Sequence, residues 1–576
     1  MNTTKNLFWY IFAALSGALL LALFMLPVLN FGGDIVEYHG ITESLIKNGT
    51  IELTKETADN LAHYLQPAYL VDPQYYIQGV DGKRYPVHFF FYSLLAMPIR
   101  ILLKVFHLNE LNTLRFTNLA ILTATSYYLL RTYLTKTRSR IAYLLLTYLS
   151  PAIWFLIWPG PDVYYLCMML LSIFFFFNKR FVMALVFMAL ASWQSQPLAI
   201  AFAGMFGYYV FQFISKQQLK DGTYVGILVN KLPLLFGLGV LALIPYAYNF
   251  IVFGTFTPWT ILKDGWTLIH GFGPQNMSLK KLYEQFFDLN FGLFWYAPMV
   301  VILGIVGVIT ERKNRQLLFT SLLMIATAFF YQTNPAWHYG TSGFGPSRHA
   351  IFLLPFLIYA SILFLEKFFL RTVAIVFLVI TQLIIMSFNG FLFPNLLNTL
   401  QMSPYAAFVL DHSAGLYNPT PEIFVDRTLH ADFSYPKSAF YKYNGKCTKA
   451  YVLITDKDQL VANCGYIPTN YQDSFDDPYL RKTNFPRQVQ TISATFWPDP
   501  GSCGDNFFPT PEKPYVCMKT IFDAMKDTGL VDPSRFIQVD KLPGVWRLKE
   551  GSPVSVTIPP GYFVQHYSFD GLYVNY

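Results

Sequence analysis

In the stretch FGGDIVEYHG (31–40), a carboxylate, Asp34, follows two glycines and is followed closely by Glu37, Tyr38 and His39. A carboxylate fixed beside aromatic and imidazole groups can take a proton from a hydroxyl, a form of general base catalysis worth about 10²–10⁴ in rate. The plain alternative is a solvated carboxylate after a helix. Asp162 follows Pro159, Gly160 and Pro161. It either caps the next helix or supplies a second catalytic acid, and Asp34 and Asp162 together offer a place for one divalent ion, Mg or Mn, without requiring it. Arg348 and His349 lie in GFGPSRHAIFLLP (343–355). The planar fork of an arginine suits phosphate, although an arginine at a helix end also snorkels to an interface. Lys83, Arg84 and His88, in DGKRYPVH (81–88), offer further positive charge. Tyr38, His39, Trp266, Trp295, Trp337 and His338 are candidates for contacting a sugar or an acceptor. Aromatic residues at a membrane surface also serve as interface belts.

The elements that must position these residues are apolar. The run Leu7–Leu29 has no charged residue, and the whole chain is 54% hydrophobic, 18% aromatic and only 13% charged. Soluble domains carry roughly 25% charged residues, so the expected class is a polytopic α-helical membrane protein. The net charge of +8 comes from short basic clusters between apolar runs, not from a nucleic-acid-binding face. Those clusters, at 131–140, 178–180, 215–231, 311–315 and 366–371, are expected on the cytoplasmic side. With the N-terminus also cytoplasmic, they predict about 11 spans: the first run, left uncleaved, then 116–131, 141–158, 163–177, 181–196, 198–214, 233–252, 291–310, 317–333, 350–365 and 372–393. The apolar stretch Val87–Leu108 breaks this parity if it crosses. Arg100 and Lys104 are spaced like the polar face of a surface helix, so it is expected to lie flat on the outer interface. Residues 31–115 then form one outer loop, with a further helix over 41–49. The candidate residues, distant in sequence, all fall on the outer side.

Residues 396–576 have no span-length apolar run. Alternating pieces at 450–455 and 552–558 predict strands, hence an extracytoplasmic α/β or β-rich domain behind a transmembrane domain at 1–395. Cys447, Cys464, Cys503 and Cys517 lie in this tail. An even set in an outer domain suits two disulfides. Proximity favours 447–464 and 503–517 among the three pairings, with a zinc site as the rival reading. Cys167, in a predicted helix, is expected to be core.

An acid after the first helix and a long outer loop resemble the GT-C superfamily of membrane glycosyltransferases, such as protein O-mannosyltransferases and the aminoarabinose transferases of lipid A. Four further segments are similar to its motifs, in order: DGKRYPVHFFFYSLLAMP (81–98), PGPDVYYLCMMLL (159–171), YNFIVFGTFTP (248–258) with FFDLNFGLFWYAPM (286–299), and WHYGTSGFGPSRHAIFLLP (337–355). The likeness covers about 1–395; the tail matches nothing known to us. Phe89–Phe91 and Ser347 depart from the pattern.

The resemblance implies an inverting transferase. It would move a sugar from a polyprenyl-phosphate carrier to a hydroxyl of a surface glycan, a lipid such as lipid A, or a protein. From the overall style of the sequence and the parity of its basic clusters, the expected location is a bacterial cytoplasmic membrane, with the tail domain periplasmic or extracellular. Asp34 matches the family's catalytic acid position, Asp162 its second acidic position, and Arg348 roughly a phosphate-side position. The rival classes are a transporter or flippase of a lipid-linked glycan, which would need polar groups near the bilayer midplane, and a membrane anchor for the tail.

Overall fold

The structure is a computed structural model. It describes residues 2–26, 34–62, 76–158, 160–217, 224–257, 276–334, 337–338, 345–367, 372–389, 401–430, 438–453 and 457–466, and five later strands. The chain is chiefly helical and divides into two compact units, one of 1–260, 282–331 and 338–398, the other of 261–281, 332–337 and 399–576.

The first unit begins with α1 (Asn2–Met25), α2 (Asp34–Asn48) and α3 (Lys55–Ala62), followed by the antiparallel pair β1 (Tyr76–Gln78) and β2 (Arg84–Pro86). Then come α4 (Phe91–Val105), α5 (Thr113–Thr132), α6 (Thr137–Tyr148), α7 (Asp162–Phe177), α8 (Phe181–Gln194), α9 (Leu198–Gln217) and α10 (Tyr224–Phe253). After these follow α11 (Leu279–Phe287), α12 (Leu293–Tyr296), α13 (Pro298–Thr310), α14 (Arg315–Tyr331), α15 (Leu354–Lys367) and α16 (Thr372–Phe388). The helices pack as α2 on α4, α5 on α7, α7 on α8, α8 on α9 and α10, α6 on α15, and α13 on α15.

Most expected apolar runs are helical, but three are interrupted. The run 141–158 stops at Tyr148 and resumes as a 3-10 turn over Pro151–Leu156. Pro151 cannot donate to a continuing helix, and the Ser150 hydroxyl accepts the Ala152 N–H in its place. The run 291–310 is split before Pro298, and 350–365 opens as a 3-10 turn, Arg348–Phe352. The helix expected over 41–49 starts earlier, with Asp34 as its first residue.

Among the described residues, two helices are long and apolar enough to cross a bilayer alone, at Phe8–Met25 and Leu232–Phe253. Only 22% and 17% of these windows are buried. Phe236, Phe250 and Ile251 on α10, Leu322 on α14 and Phe377 and Phe388 on α16 are also exposed.

In α4, Arg100 and Lys104 do not form the outward polar face expected of them. Arg100 is buried against α2, with Nη2 at 3.0 Å from Glu43 and 2.9 Å from Glu110, and Lys104 binds Glu43 at 2.8 Å. Leu95, Ile101, Leu102 and Val105 face outward instead. The helix is amphipathic with its apolar side outermost, because the three carboxylate and imidazole partners on α2 and beside α5 can be reached only from within.

In the second unit, residues 276–281 and 332–337 join the tail. The Ser278 N–H donates to Gln332 (2.8 Å), and buried Lys281 pairs with Glu422 at 2.5 Å. The tail holds α17 (Pro404–Ser413), α18 (Pro421–Leu429), β3 (Ala439–Tyr443), β4 (Lys446–Leu453) and α19 (Lys457–Cys464). Its later strands are β5 (Ser493–Pro498), β6 (Phe536–Gln538), β7 (Trp546–Leu548), β8 (Tyr562–Gln565) and β9 (Gly571–Asn575). They build antiparallel sheets ordered β3-β4-β9 and β6-β7-β5-β8. The strand expected at 450–455 falls on β4; the one at 552–558 lies outside the described residues. Cys447 and Cys464 form a disulfide joining β4 to α19, Cys167 is buried and free, and Cys503 and Cys517 lie outside the described residues.

Removing one member of a buried ion pair costs about 3–5 kcal/mol. Glu43→Ala, which leaves Arg100 with Glu110 as its one carboxylate, is therefore expected to lower the apparent melting temperature in detergent. The apolar double replacement Glu43→Leu with Arg100→Met should recover most of the loss.

Candidate active site

Two carboxylates stand at helix N-termini, Asp34 at the start of α2 and Asp162 at the start of α7. The unpaired N–H groups there favour negative charge. A single guanidinium lies between them. Arg348 Nη1 is 3.9 Å from Asp34 Oδ2, and its Nε is 3.8 Å from Asp162 Oδ1. Both are ion-pair separations longer than hydrogen bonds. Asp162 is fully buried, whereas the side chains of Asp34 and Arg348 are partly exposed, at 38% and 26%. The Tyr165 hydroxyl donates to Asp162 Oδ1, while Oδ2 has no hydrogen-bond partner. Trp158 places its ring 5.9 Å from the Arg348 guanidinium.

The positions of these groups are set from elsewhere. Asn118 on α5 donates to the carbonyls of Phe155, Trp158 and Gly160, at 3.3, 3.0 and 3.3 Å. It is held in turn by Tyr92, whose hydroxyl donates to Asn118 Oδ1 at 2.8 Å. This clamps the loop before Asp162. A methyl group on Gly160 would meet Asp162 Oδ2 at 2.9 Å and the Trp158 ring at 3.0 Å, so no larger residue fits without moving the acid. Arg348 is placed by two motifs that meet in space. Asp288 Oδ1 accepts the N–H groups of Asn290 and Phe291, closing a tight turn. The buried backbone carbonyls of that turn then accept Gly345 N–H at Asn290 (3.4 Å) and Ser347 N–H at Phe291 (3.1 Å). Gly292 is obligatory here, because a Cβ would lie 2.5 Å from the Asp288 nitrogen. The Ser347 hydroxyl accepts the His349 N–H and starts the turn that carries Arg348.

The other expected site residues divide. Tyr38, one turn after Asp34, is buried with its ring 5.5 Å from His88 and 5.4 Å from Tyr92. Glu37 does not face the opening. Oε1 accepts the His88 N–H (2.6 Å) and Oε2 meets His88 Nδ1 (2.7 Å). Burial lowers the imidazole pKa, but the Glu37 carboxylate, with help from Asp34, outweighs it and raises His88 to about 9, against Arg348. His88 thus holds Glu37 and is not a free phosphate ligand. His39 is buried, accepting from Arg100 Nη1 at 3.2 Å; burial and then Arg100 push its pKa well down and keep it neutral.

Lys83 is exposed and spends its charge on Glu52 at 2.7 Å. Arg84 sits in β2, where it pairs with Gln78. His349 is buried with its ring 3.8 Å from that of Tyr331, and His338 is buried 6.2 Å from Phe291. Trp337 is fully buried, with the Lys281 ammonium 5.3 Å from its ring, and offers no open stacking face. Trp295 donates to the Phe287 carbonyl at 2.9 Å. Trp266 lies outside the described residues. Tyr165, Trp158 and Asn118 were missed by sequence reasoning. Tyr165 and Trp158 flank the PGPD motif (159–162) and were within its reach, whereas nothing local marks Asn118.

Among the described residues, no group of three or more His, Cys, Asp or Glu could hold a metal ion, and the Arg348 guanidinium occupies the place between Asp34 and Asp162. No family model matches the chain, no curated protein matches it, and no solved structure matches it.

Two outcomes follow from this geometry. Gly160→Ala should displace the Asp162 carboxylate and loosen Arg348, lowering whatever activity the site has about tenfold or more while leaving thermal stability nearly unchanged. The folded pKa of His88 exceeds its unfolded value near 6.5. The stability it contributes is therefore complete below about pH 6.5 and is lost as pH rises through about 9. Hydrogen exchange of residues 34–48 and 84–92 should accelerate across that window, and His88→Gln should abolish the pH step.

Proposed function

We propose that this chain is a polytopic membrane glycosyltransferase of GT-C type, with about 11 spans and an extracytoplasmic tail domain. On this reading it moves a sugar from a polyprenyl phosphate to an acceptor hydroxyl outside the cytoplasm. The observation that carries the proposal is the half-open pair of Asp34 and Arg348, backed by the buried Asp162. The outward apolar faces of α1, α10, α14 and α16 support the bilayer setting, where lipid takes the place of a protein core.

In this mechanism Asp34 takes the proton of the acceptor hydroxyl. The hydroxyl oxygen bonds to the anomeric carbon as the bond from that carbon to the phosphate oxygen breaks. The phosphate leaves with the electron pair, gaining charge beside Arg348. Attack from the side opposite the leaving group inverts the anomeric centre. At 3.9 Å, Asp34 and Arg348 are an ion pair without a hydrogen bond between them, so each keeps hydrogen-bonding capacity for these roles. Asp162 is a positioning residue: it holds the guanidinium and, being buried, does not meet the acceptor. Glu37 and His88 anchor α2 to the start of α4 and so fix Asp34. The arginine supplies the positive charge that a divalent ion between Asp34 and Asp162 would otherwise bring.

The test is release of polyprenyl phosphate from a polyprenyl-phosphate sugar by purified protein. Asp34→Asn should lose about 10²–10⁴ in rate with unchanged expression and membrane insertion. Arg348→Lys should retain part of the activity, since charge survives while the fork is lost. Chelation with EDTA should leave the rate unchanged. Full activity in Asp34→Asn removes the catalytic assignment; movement of the intact lipid across a bilayer without bond cleavage favours a transporter.

A further inference from the structure

Away from the carboxylates, a cleft of about 690 Å³ opens between α1 and α5, lined by Trp9, Phe12, Ala13, Tyr127, Arg131 and Arg140 among others. The two helices run antiparallel. Arg115, near the start of α5, donates to the carbonyls of Leu23 and Leu26 at the end of α1. At the opposite end, Arg140 lies over the rings of Phe8 and Trp9, with centroids 5.2 and 5.4 Å away. The cleft therefore sits at the N-terminal end of α1, beside the basic segment RTYLTKTRSR (131–140).

Its chemistry is divided. One wall is apolar and aromatic, and Ala13 leaves it open. The mouth carries two guanidiniums that are only partly used. Arg140 donates through Nε to the carbonyls of Leu130 (3.1 Å) and Leu134 (2.7 Å), and Arg131 donates through Nη1 to the Tyr127 hydroxyl (2.5 Å). Among the described residues neither has a carboxylate partner. Their remaining N–H groups suit a phosphate, and the apolar wall suits a hydrocarbon chain. A free phosphate would leave that wall uncovered; a purely apolar chain would leave the cations unmatched.

We propose that this cleft is a binding site for an anionic glycerophospholipid of the cytoplasmic leaflet, its phosphate between Arg131 and Arg140 and an acyl chain against Trp9, Phe12 and Ala13. The proposal rests on the bilayer setting and sidedness argued above, but not on sugar transfer, and its readout is lipid binding alone.

Full-length protein in detergent is titrated with phosphatidylglycerol or phosphatidylcholine, and bound lipid is counted by native mass spectrometry. Phosphatidylglycerol should bind about tenfold or more tightly, the preference expected of two arginines at a membrane surface. Arg131→Ala with Arg140→Gln should erase the preference. Ala13→Trp, which fills the apolar wall and keeps both arginines, should weaken binding of the anionic lipid to a similar degree without altering the melting temperature of the lipid-free protein. Inorganic phosphate should not displace the lipid. Equal affinity for the two lipids, unchanged binding in Ala13→Trp, or displacement by inorganic phosphate would each overturn the proposal.

Discussion

The arrangement of the first unit turns on one cation held between two acids. Arg348 on one segment faces Asp34 at the start of α2 and Asp162 at the start of α7. A guanidinium leaves water at high cost unless its charge is matched. Asp162 supplies the match from the buried side, and Asp34 supplies it from the open side. The loop geometry around them follows from that need. The Asn118 clamp, the space kept by Gly160 and the backbone bonds between the Asp288 turn and the 345–347 loop all serve to bring three remote segments within ion-pair range.

A second constraint shapes the surroundings. Charged and polar groups of the α2–α4 region point inward, where Arg100 pairs with Glu43, Glu110 and His39, while the apolar side of α4 faces out. Such an inversion is unfavourable in water, where apolar area is the part removed from solvent. It is natural where the surrounding medium is hydrocarbon, because there the unmatched polar group carries the cost. On the membrane reading proposed above, the same logic accounts for how little of α1 and α10 is covered by protein.

Much of this was legible along the chain. The helices α5, α7, α8, α9, α10, α14 and α16 fall on apolar runs, since a run bounded by basic or Gly-rich segments already defines a helix. Asp34, Asp162 and Arg348 stood out because each lies within two residues of a glycine or proline at the edge of such a run. The breaks at Pro151 and Pro298 were underweighted: a hydropathy pattern sees the apolar character of proline but not its missing N–H. The pairing of Glu37, His88 and Arg100 was not legible either. Their types suggested catalysis, phosphate binding and a surface face, yet each is committed to a partner 51 to 61 residues distant.

The sequence by itself marked most of the helices and singled out the candidate acids, because hydrophobic runs and the residues that interrupt them are local properties. Only the tertiary structure decided which charged groups are free and which are spent. Charge pairing depends on distances between segments far apart in sequence. A carboxylate that reads the same at positions 34, 37 and 43 becomes an open acid, the anchor of an imidazole, or the counter-ion of a buried arginine according to what the fold places against it.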